Sequence, residues 1–172
     1  MDPHLQSLVN HSTERLVPRN GFIVTEGRVD QNIYFIKSGA VRVFLQTEFE
    51  EMTIRFGYRN NIITSLSSFI NDAPSEFYIQ AIRATTLGVI SKEQFMQYIN
   101  AEPKRLHWYV KLIEQLVTQQ MEREIDLLTA SPSARLQRVL ERSPQLFQEI
   151  PSKYIASYLR MTPETLSRIR KL

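Results

Sequence analysis

Between Gly21 and Ser91 the chain is a succession of short runs rich in β-branched and aromatic residues: FIVT at 22–25, NIYFIK at 32–37, AVRVFLQ at 40–46, EMTIRFG at 51–57, EFYIQAIR at 76–83 and TLGVIS at 86–91. Alternation with a period of two is plain where Val41, Val43 and Leu45 oppose Arg42, Phe44 and Gln46. It recurs where Met52, Ile54 and Phe56 oppose Thr53, Arg55 and Gly57. Gly27, Gly39, Gly57 and Pro74 punctuate the runs, and Ser38-Gly39 has the composition of a tight turn. Strands this short and this evenly spaced bury a common face by rolling up, which predicts an antiparallel β-roll or jelly roll.

After Ser91 the hydrophobic period changes from strand to helix. Lys92 to Asn100 is expected to form a short helix, and Glu102 and Pro103 open a long one running to about Leu128. On the long helix Val110, Ile113, Val117, Met121 and Leu128 make one apolar seam, and Leu106, Tyr109 and Leu116 a second. Two seams fit a helix buried on both sides in its own core. They also fit a helix lying between the β-roll and the same helix of a second subunit, the reading favoured here, with Val110, Ile113, Val117 and Met121 at the dimer contact. Thr129-Ala130-Ser131-Pro132 then breaks the helix as a hinge. Ser131 caps and Pro132 starts the next helix, to about Arg142, which presents Leu136, Val139 and Leu140 inward. Before the strands, residues 2–18 hold one short helix with Leu5, Leu8, Val9 and Leu16 as its apolar set.

The terminal stretch 151–172 has the pattern of two short helices joined by a tight turn, with Tyr154, Ile155, Tyr158 and Leu159 on the first and Leu166 and Ile169 on the second. Thr162 is the N-cap of the second, Pro163 its first residue, and Glu164 sits at its positive end. Ser167, Arg168, Arg170 and Lys171 lie opposite the apolar pair. Charge is segregated toward this end. Residues 129–172 carry 8 Lys+Arg against 3 Asp+Glu, and residues 1–128 carry 13 against 15. A basic end of this kind suits a polyanion such as DNA, where phosphate neutralisation supplies most non-specific affinity. A helix-turn-helix would use that polar face to enter the major groove.

Several function classes are disfavoured. The chain has no cysteine, which removes disulfides and thiolate metal or iron–sulfur sites. Its three histidines, His4, His11 and His107, all lie outside the strands, so a cupin-type metal enzyme lacks its ligands. No Gly-rich phosphate loop or nucleophile motif occurs, and the expectation is a protein that is not an enzyme and needs no cofactor or metal. No apolar run approaches the ~20 residues of a membrane span, and MDPHLQSLVN lacks a signal-peptide pattern, so a cytoplasmic location is expected.

The string IPSKYIASYLRMTPETLSRIRKL resembles the C-terminal helix-turn-helix of bacterial Crp/Fnr-type transcription regulators, in particular short-tailed ones. A second segment, EG followed by YFIKSGAVRVF and a charged hairpin, resembles the cyclic-nucleotide-binding fold of the same family. The resemblance implies an α+β protein in three parts. These are a β-roll sensor-like domain over residues 1–102, a dimerisation helix and hinge over 103–130, and a helix-turn-helix DNA-binding domain over 131–172. By position, Glu164 and Arg168 match the family's base contacts, and Thr162 and Thr165 its phosphate contacts. Lys153 and Lys171 are placed to steady the DNA backbone, and Ser167 shares the polar face. Arg160 stands where many members have Gly between the helices. If that turn requires a positive φ, the substitution strains it by roughly 1 kcal/mol. The partners implied are a two-fold double-stranded DNA site, a second copy of the chain and, at a promoter, RNA polymerase.

In members that bind cyclic nucleotide, a Gly-Glu-Leu turn holds the ribose and an Arg beyond the following loop holds the phosphate. Here the region is IITSLSSFINDAPSEFYIQA, with Thr64 and Ser65 at the turn and Ser75, Glu76 and Phe77 at the anchor. With no cation and a carboxylate beside the anchor, cyclic nucleotide binding is disfavoured. Either a pocket filled by side chains or a cavity for a less anionic effector fits these residues. Two functions remain in view: a dimeric DNA-binding regulator, and a β-roll binding or interaction module whose helix-turn-helix is impaired.

Overall fold

The computed structural model describes residues 2–171; Leu172, the end of the terminal stretch, lies outside them. The elements in order are α1 (Pro3–Asn10), β1 (Thr13–Val17), β2 (Phe22–Val24), β3 (Asn32–Ser38), β4 (Ala40–Gln46), β5 (Glu51–Tyr58), β6 (Ile62–Ile63), α2 (Leu66–Asn71), β7 (Tyr78–Ala81), β8 (Thr85–Ser91), α3 (Lys92–Asn100), α4 (Pro103–Leu128), α5 (Pro132–Arg142), α6 (Leu146–Glu149), α7 (Ser152–Tyr158) and α8 (Pro163–Ile169). The strands make two four-stranded antiparallel sheets, ordered β1-β8-β3-β6 and β2-β7-β4-β5. The chain is therefore α+β with an antiparallel roll, as expected.

The two sheets face each other across a core of Val17, Ile23, Tyr34, Ile36, Val41, Ile79 and Leu87 with their neighbours. The outer faces are covered too. Ile33, Phe35 and Ile90 of the first sheet pack under Leu8, Phe69, Phe95 and Ile99 from the helices α1, α2 and α3. On the second sheet and its borders, Ala40, Phe56, Tyr58 and Ile82 pack under Leu136, Val139, Ile155, Leu159 and Leu166. Burial on both faces explains why NIYFIK is apolar at both parities rather than alternating. Gly39 makes the β3–β4 turn at a φ of 93°, and a Cβ there would lie 2.4 Å from Thr85 Oγ1, so both its conformation and its closeness to β8 require glycine.

Several expectations are corrected. Residues 13–17 form strand β1 on β8, and Leu16 is 72% exposed there while Val17 is the residue buried; the predicted helix stops at Asn10. The alternation in β5 is broken by a bulge. Val43 pairs with Arg55 but Phe44 pairs with Thr53, leaving Ile54 as the extra residue. Ile54 consequently joins the inner core while Phe56 joins the outer one, so Met52, Ile54 and Phe56 do not form a single face. β6, α2 and α6 complete the fold beyond the predicted elements.

On α4, Tyr109 of the second seam meets Phe95 edge-on at 5.6 Å. Of the first seam, Val110, Val117, Met121 and Leu128 are exposed, Ile113 is half-buried, and Leu106, assigned to the second seam, is exposed as well. The α4–α5 joint is held by charge. Asp126, 0% exposed, accepts from Arg138 Nε at 2.9 Å and from both terminal nitrogens of Arg142, one of them at 3.2 Å, while Glu122 accepts from Arg138 Nη2 at 2.8 Å. Ser131 caps α5 through its hydroxyl, with Pro132 at the first position, as expected.

Candidate functional site

The helical pair α7–α8 is built by a C-cap at Leu159 and an N-cap at Thr162, with Arg160 and Met161 between them. At the end of α7 the Met161 amide donates to Ala156 O at 3.1 Å and the Arg160 amide to Ser157 O at 3.2 Å, with Arg160 at a φ of 54°. These are the six-to-one and five-to-two bonds of a Schellman motif, whose left-handed residue is usually glycine. Arg160 thus occupies the strained position anticipated above, and the turn closes around it. Thr162 Oγ1 then accepts from the Thr165 amide at 3.2 Å, and Pro163 starts α8. Leu166 is buried beneath the helix and Ile169 packs beside it. Backbone amides first, and the Thr162 hydroxyl second, hold the Glu164 carboxyl below the usual carboxylate range, as suits an anion at a helix N-terminus.

Thr162, Glu164, Ser167, Arg168 and Lys171 are exposed, and Thr165 is half-buried. Together they occupy the outer side of α8 and its flanks. Lys153 is exposed on α7, with its ammonium 4.7 Å from the Tyr154 ring. The basic charge of this end is not all outward, however. Arg138 and Arg142 are engaged by Asp126 and Glu122, Arg135 donates to Thr129 O at 2.8 Å, and Arg170 stacks 3.9 Å from the Phe147 ring and donates to Ser152. Arg170 therefore leaves the free cationic face, because an aromatic ring and a hydroxyl lie within its reach. At this end, among the described residues, the exposed cations outside the ion pairs and the Phe147 contact are Lys153, Arg168 and Lys171, with Arg160 half-buried in the turn.

The pair sits on the roll rather than hanging free. β5 is the last strand of its sheet and has an open edge. There the Thr53 amide donates to Ser157 Oγ at 3.0 Å and the Ser157 hydroxyl donates to Glu51 O at 3.1 Å. One α7 side chain therefore satisfies two edge groups. Nearby, Arg42 lies 4.0 Å from the Phe44 ring and 4.4 Å from the Tyr154 ring, donates twice to Gln80 Oε1 and pairs with Glu51. Phe56 and Tyr158 meet at 5.2 Å, and Arg83 pairs with Glu149.

Inside the roll, Ser65 and Ser75 are both buried, with their hydroxyls 2.7 Å apart. Ser75 Oγ donates to Phe77 O at 2.9 Å and accepts from the Phe77 amide at 3.2 Å. Thr64 donates to Asn32 O at 2.9 Å. Among the described residues no Lys or Arg is bonded to either serine. Ser65, Ser75 and Phe77 are thus brought together and bond one another. Glu76 is exposed. No group of three or more His, Cys, Asp or Glu side chains among the described residues is gathered to hold a metal ion, and no helix is long and apolar enough to cross a membrane.

A two-sheet roll is thus joined by a long helix to a helical unit with an exposed polar and cationic end. The cyclic nucleotide-binding domain family model matches residues 14–102, just over half the chain, and the protein belongs to that family. Its fold is similar to those of FixK2 from Bradyrhizobium japonicum (15% identity, 93% of this chain and 83% of that one, TM-score 0.80) and a CooA mutant from Carboxydothermus hydrogenoformans (20%, 96% and 77%, 0.76). It is also similar to TTHB099, a CRP-family transcriptional regulator from Thermus thermophilus (15%, 91% and 82%, 0.68). No curated protein sequence matches the chain. The resemblance to Crp/Fnr-type regulators is borne out.

Proposed function

We propose that the protein is a homodimeric transcription regulator that binds a two-fold DNA site through α7 and α8, a helix-turn-helix, and that it is not an enzyme. The outward polar face of α8 carries this reading: Glu164, Ser167 and Arg168 lie where base edges would be met, with Lys153, Thr162, Thr165 and Lys171 around them for phosphates. The exposed stripe of Val110, Val117 and Met121, with Ile113 beside it, supplies the second-subunit contact. The parts divide as sensor-like roll to residue 102, dimerisation helix to 130 and DNA-binding unit beyond. With Ser65 and Ser75 bonded to each other in place of a cation, the roll has lost the cyclic-nucleotide phosphate anchor. RNA polymerase is the partner of such a regulator at a promoter. The strained Arg160 favours the other reading, an interaction module with an impaired helix-turn-helix, but the turn keeps both of its hydrogen bonds.

A salt titration on genomic DNA fragments tests the proposal. Three outward cations per subunit, six per dimer, give an expected slope of log K on log[salt] of about −5. Absence of salt-dependent binding would remove the DNA-binding function.

A further inference from the structure

A cleft of about 600 Å³ opens between β5, the middle of α4 and the base of α5 and α7. Ile54, Phe56, Leu112, Leu116 and Val139 give it apolar walls, and Arg55, Arg123 and Arg142 border it with Glu122. Arg142 is already matched to Asp126 and Glu122. The other two arginines are not matched. Arg55 makes no ion pair or side-chain hydrogen bond among the described residues, and burial pushes its guanidinium below the usual range. Arg123 is 8% exposed, stacks 3.7 Å from the Tyr158 ring and donates through Nη2 to Tyr158 O, yet its Nη1 is buried with no acceptor. Buried donors are nearly always paired, so two guanidinium groups with unused donors in the wall of one cleft suit an anionic partner.

We propose that this cleft binds a small organic anion, its charged head on the guanidinium groups of Arg55 and Arg123 and its apolar body against Ile54, Leu112 and Leu116. The volume falls within the ~300–1,000 Å³ of small-molecule sites, and a guanidinium fork suits a carboxylate or phosphate head. The site is distinct from the Ser65–Ser75 interior of the roll. It also has a mechanical consequence. Tyr158 closes α7, and Arg123 caps that helix end from α4. An anion on Arg123 therefore touches the link that sets the helical pair against the long helix. Ligand chemistry here rests on the cleft alone; only the regulatory consequence depends on the DNA-binding proposal.

Binding is measured on the full chain without DNA, so that failure here and failure of the DNA reading are distinguishable. The probes are 1-naphthoate, its uncharged analogue 1-naphthamide, and inorganic phosphate, each followed by calorimetry and by thermal melting. Naphthoate is expected to bind saturably and raise the melting temperature, with naphthamide and phosphate each about tenfold weaker or more, the one lacking the charge and the other the apolar body. Arg55→Met keeps the aliphatic stem. It should weaken naphthoate about tenfold without lowering the melting temperature of the free protein, because Arg55 holds nothing in the chain. Arg123→Lys should weaken it as well while retaining a cation. Absence of naphthoate binding at about 10 mM, equal binding of phosphate, or undiminished naphthoate binding by Arg55→Met overturns the proposal.

Discussion

Replacing Asp126 with alanine removes the centre of the α4–α5 joint. The carboxylate is 0% exposed and accepts three hydrogen bonds from two guanidinium groups, Arg138 and Arg142. Its loss leaves both cations with Glu122 alone. Arg138 and Arg142 are 34% and 35% exposed and keep Glu122, so the cost falls below that of a fully buried pair, to about 1.5–3 kcal/mol, that of a hydrogen bond to a charged group. In a chain of 172 residues each kcal/mol moves the melting temperature by ~2–4 °C, so a fall of roughly 3–12 °C is expected. Urea and thermal melts of Asp126→Ala, Arg142→Ala and the double variant complete the test. The cycle should return a coupling of about 1–3 kcal/mol. An Asp126→Ala chain within about 0.5 kcal/mol of wild type, the range of ordinary surface changes, would show that the carboxylate does not hold the joint.

Three further outcomes are expected. If α4 pairs two subunits, Val117→Asp buries an uncompensated charge and yields monomers by light scattering; an unchanged dimer moves the interface elsewhere. Arg160→Gly relieves a left-handed residue and should add about 0.5–1 kcal/mol, or ~1–4 °C in melting temperature, after the entropy of glycine is counted; a loss of stability would mean that the Arg160 side chain contributes more than its backbone costs. Cyclic AMP or GMP at millimolar concentration should leave the melting temperature unchanged, since Ser75 offers no cation and Arg83 is held by Glu149. A ligand at 100 times its Kd would add roughly 2.7 kcal/mol, and a saturable rise with either nucleotide would sink the lost-anchor argument.

The elements that announced themselves did so through period and caps. The strands β3, β4, β5 and β8 have apolar runs of useful length, and α3, α4, α5 and α8 begin at Lys92, Pro103, Pro132 and Pro163, where a capping side chain or a first-turn proline is local. What stayed hidden was too short or too distant. β6 has two residues and α6 four, α2 has no side-chain cap, and β1 carries Leu16 outward. The bulge at Ile54 reverses the parity of β5 with no glycine to mark it. Docking of α7 on the roll had one visible signal, since Phe44 is an aromatic residue opposite the apolar set Val41, Val43 and Leu45, where a solvated face would be polar. At the candidate site, exposure of Glu164, Ser167 and Arg168 followed from helical spacing alone. The inward turn of Arg138 and Arg142 did not, because their carboxylates lie 12 and 16 residues earlier, at Asp126, and on the preceding turn of α4 at Glu122.

The most direct test is equilibrium binding by Arg168→Ala and Lys171→Ala, each on a site selected from random DNA and on a random duplex. If the outer face of α8 reads bases, Arg168→Ala loses about 1–3 kcal/mol on the selected site and far less on the random one, whereas Lys171→Ala, a phosphate contact, weakens both alike. Equal losses for the two variants on both DNAs would contradict base reading by α8.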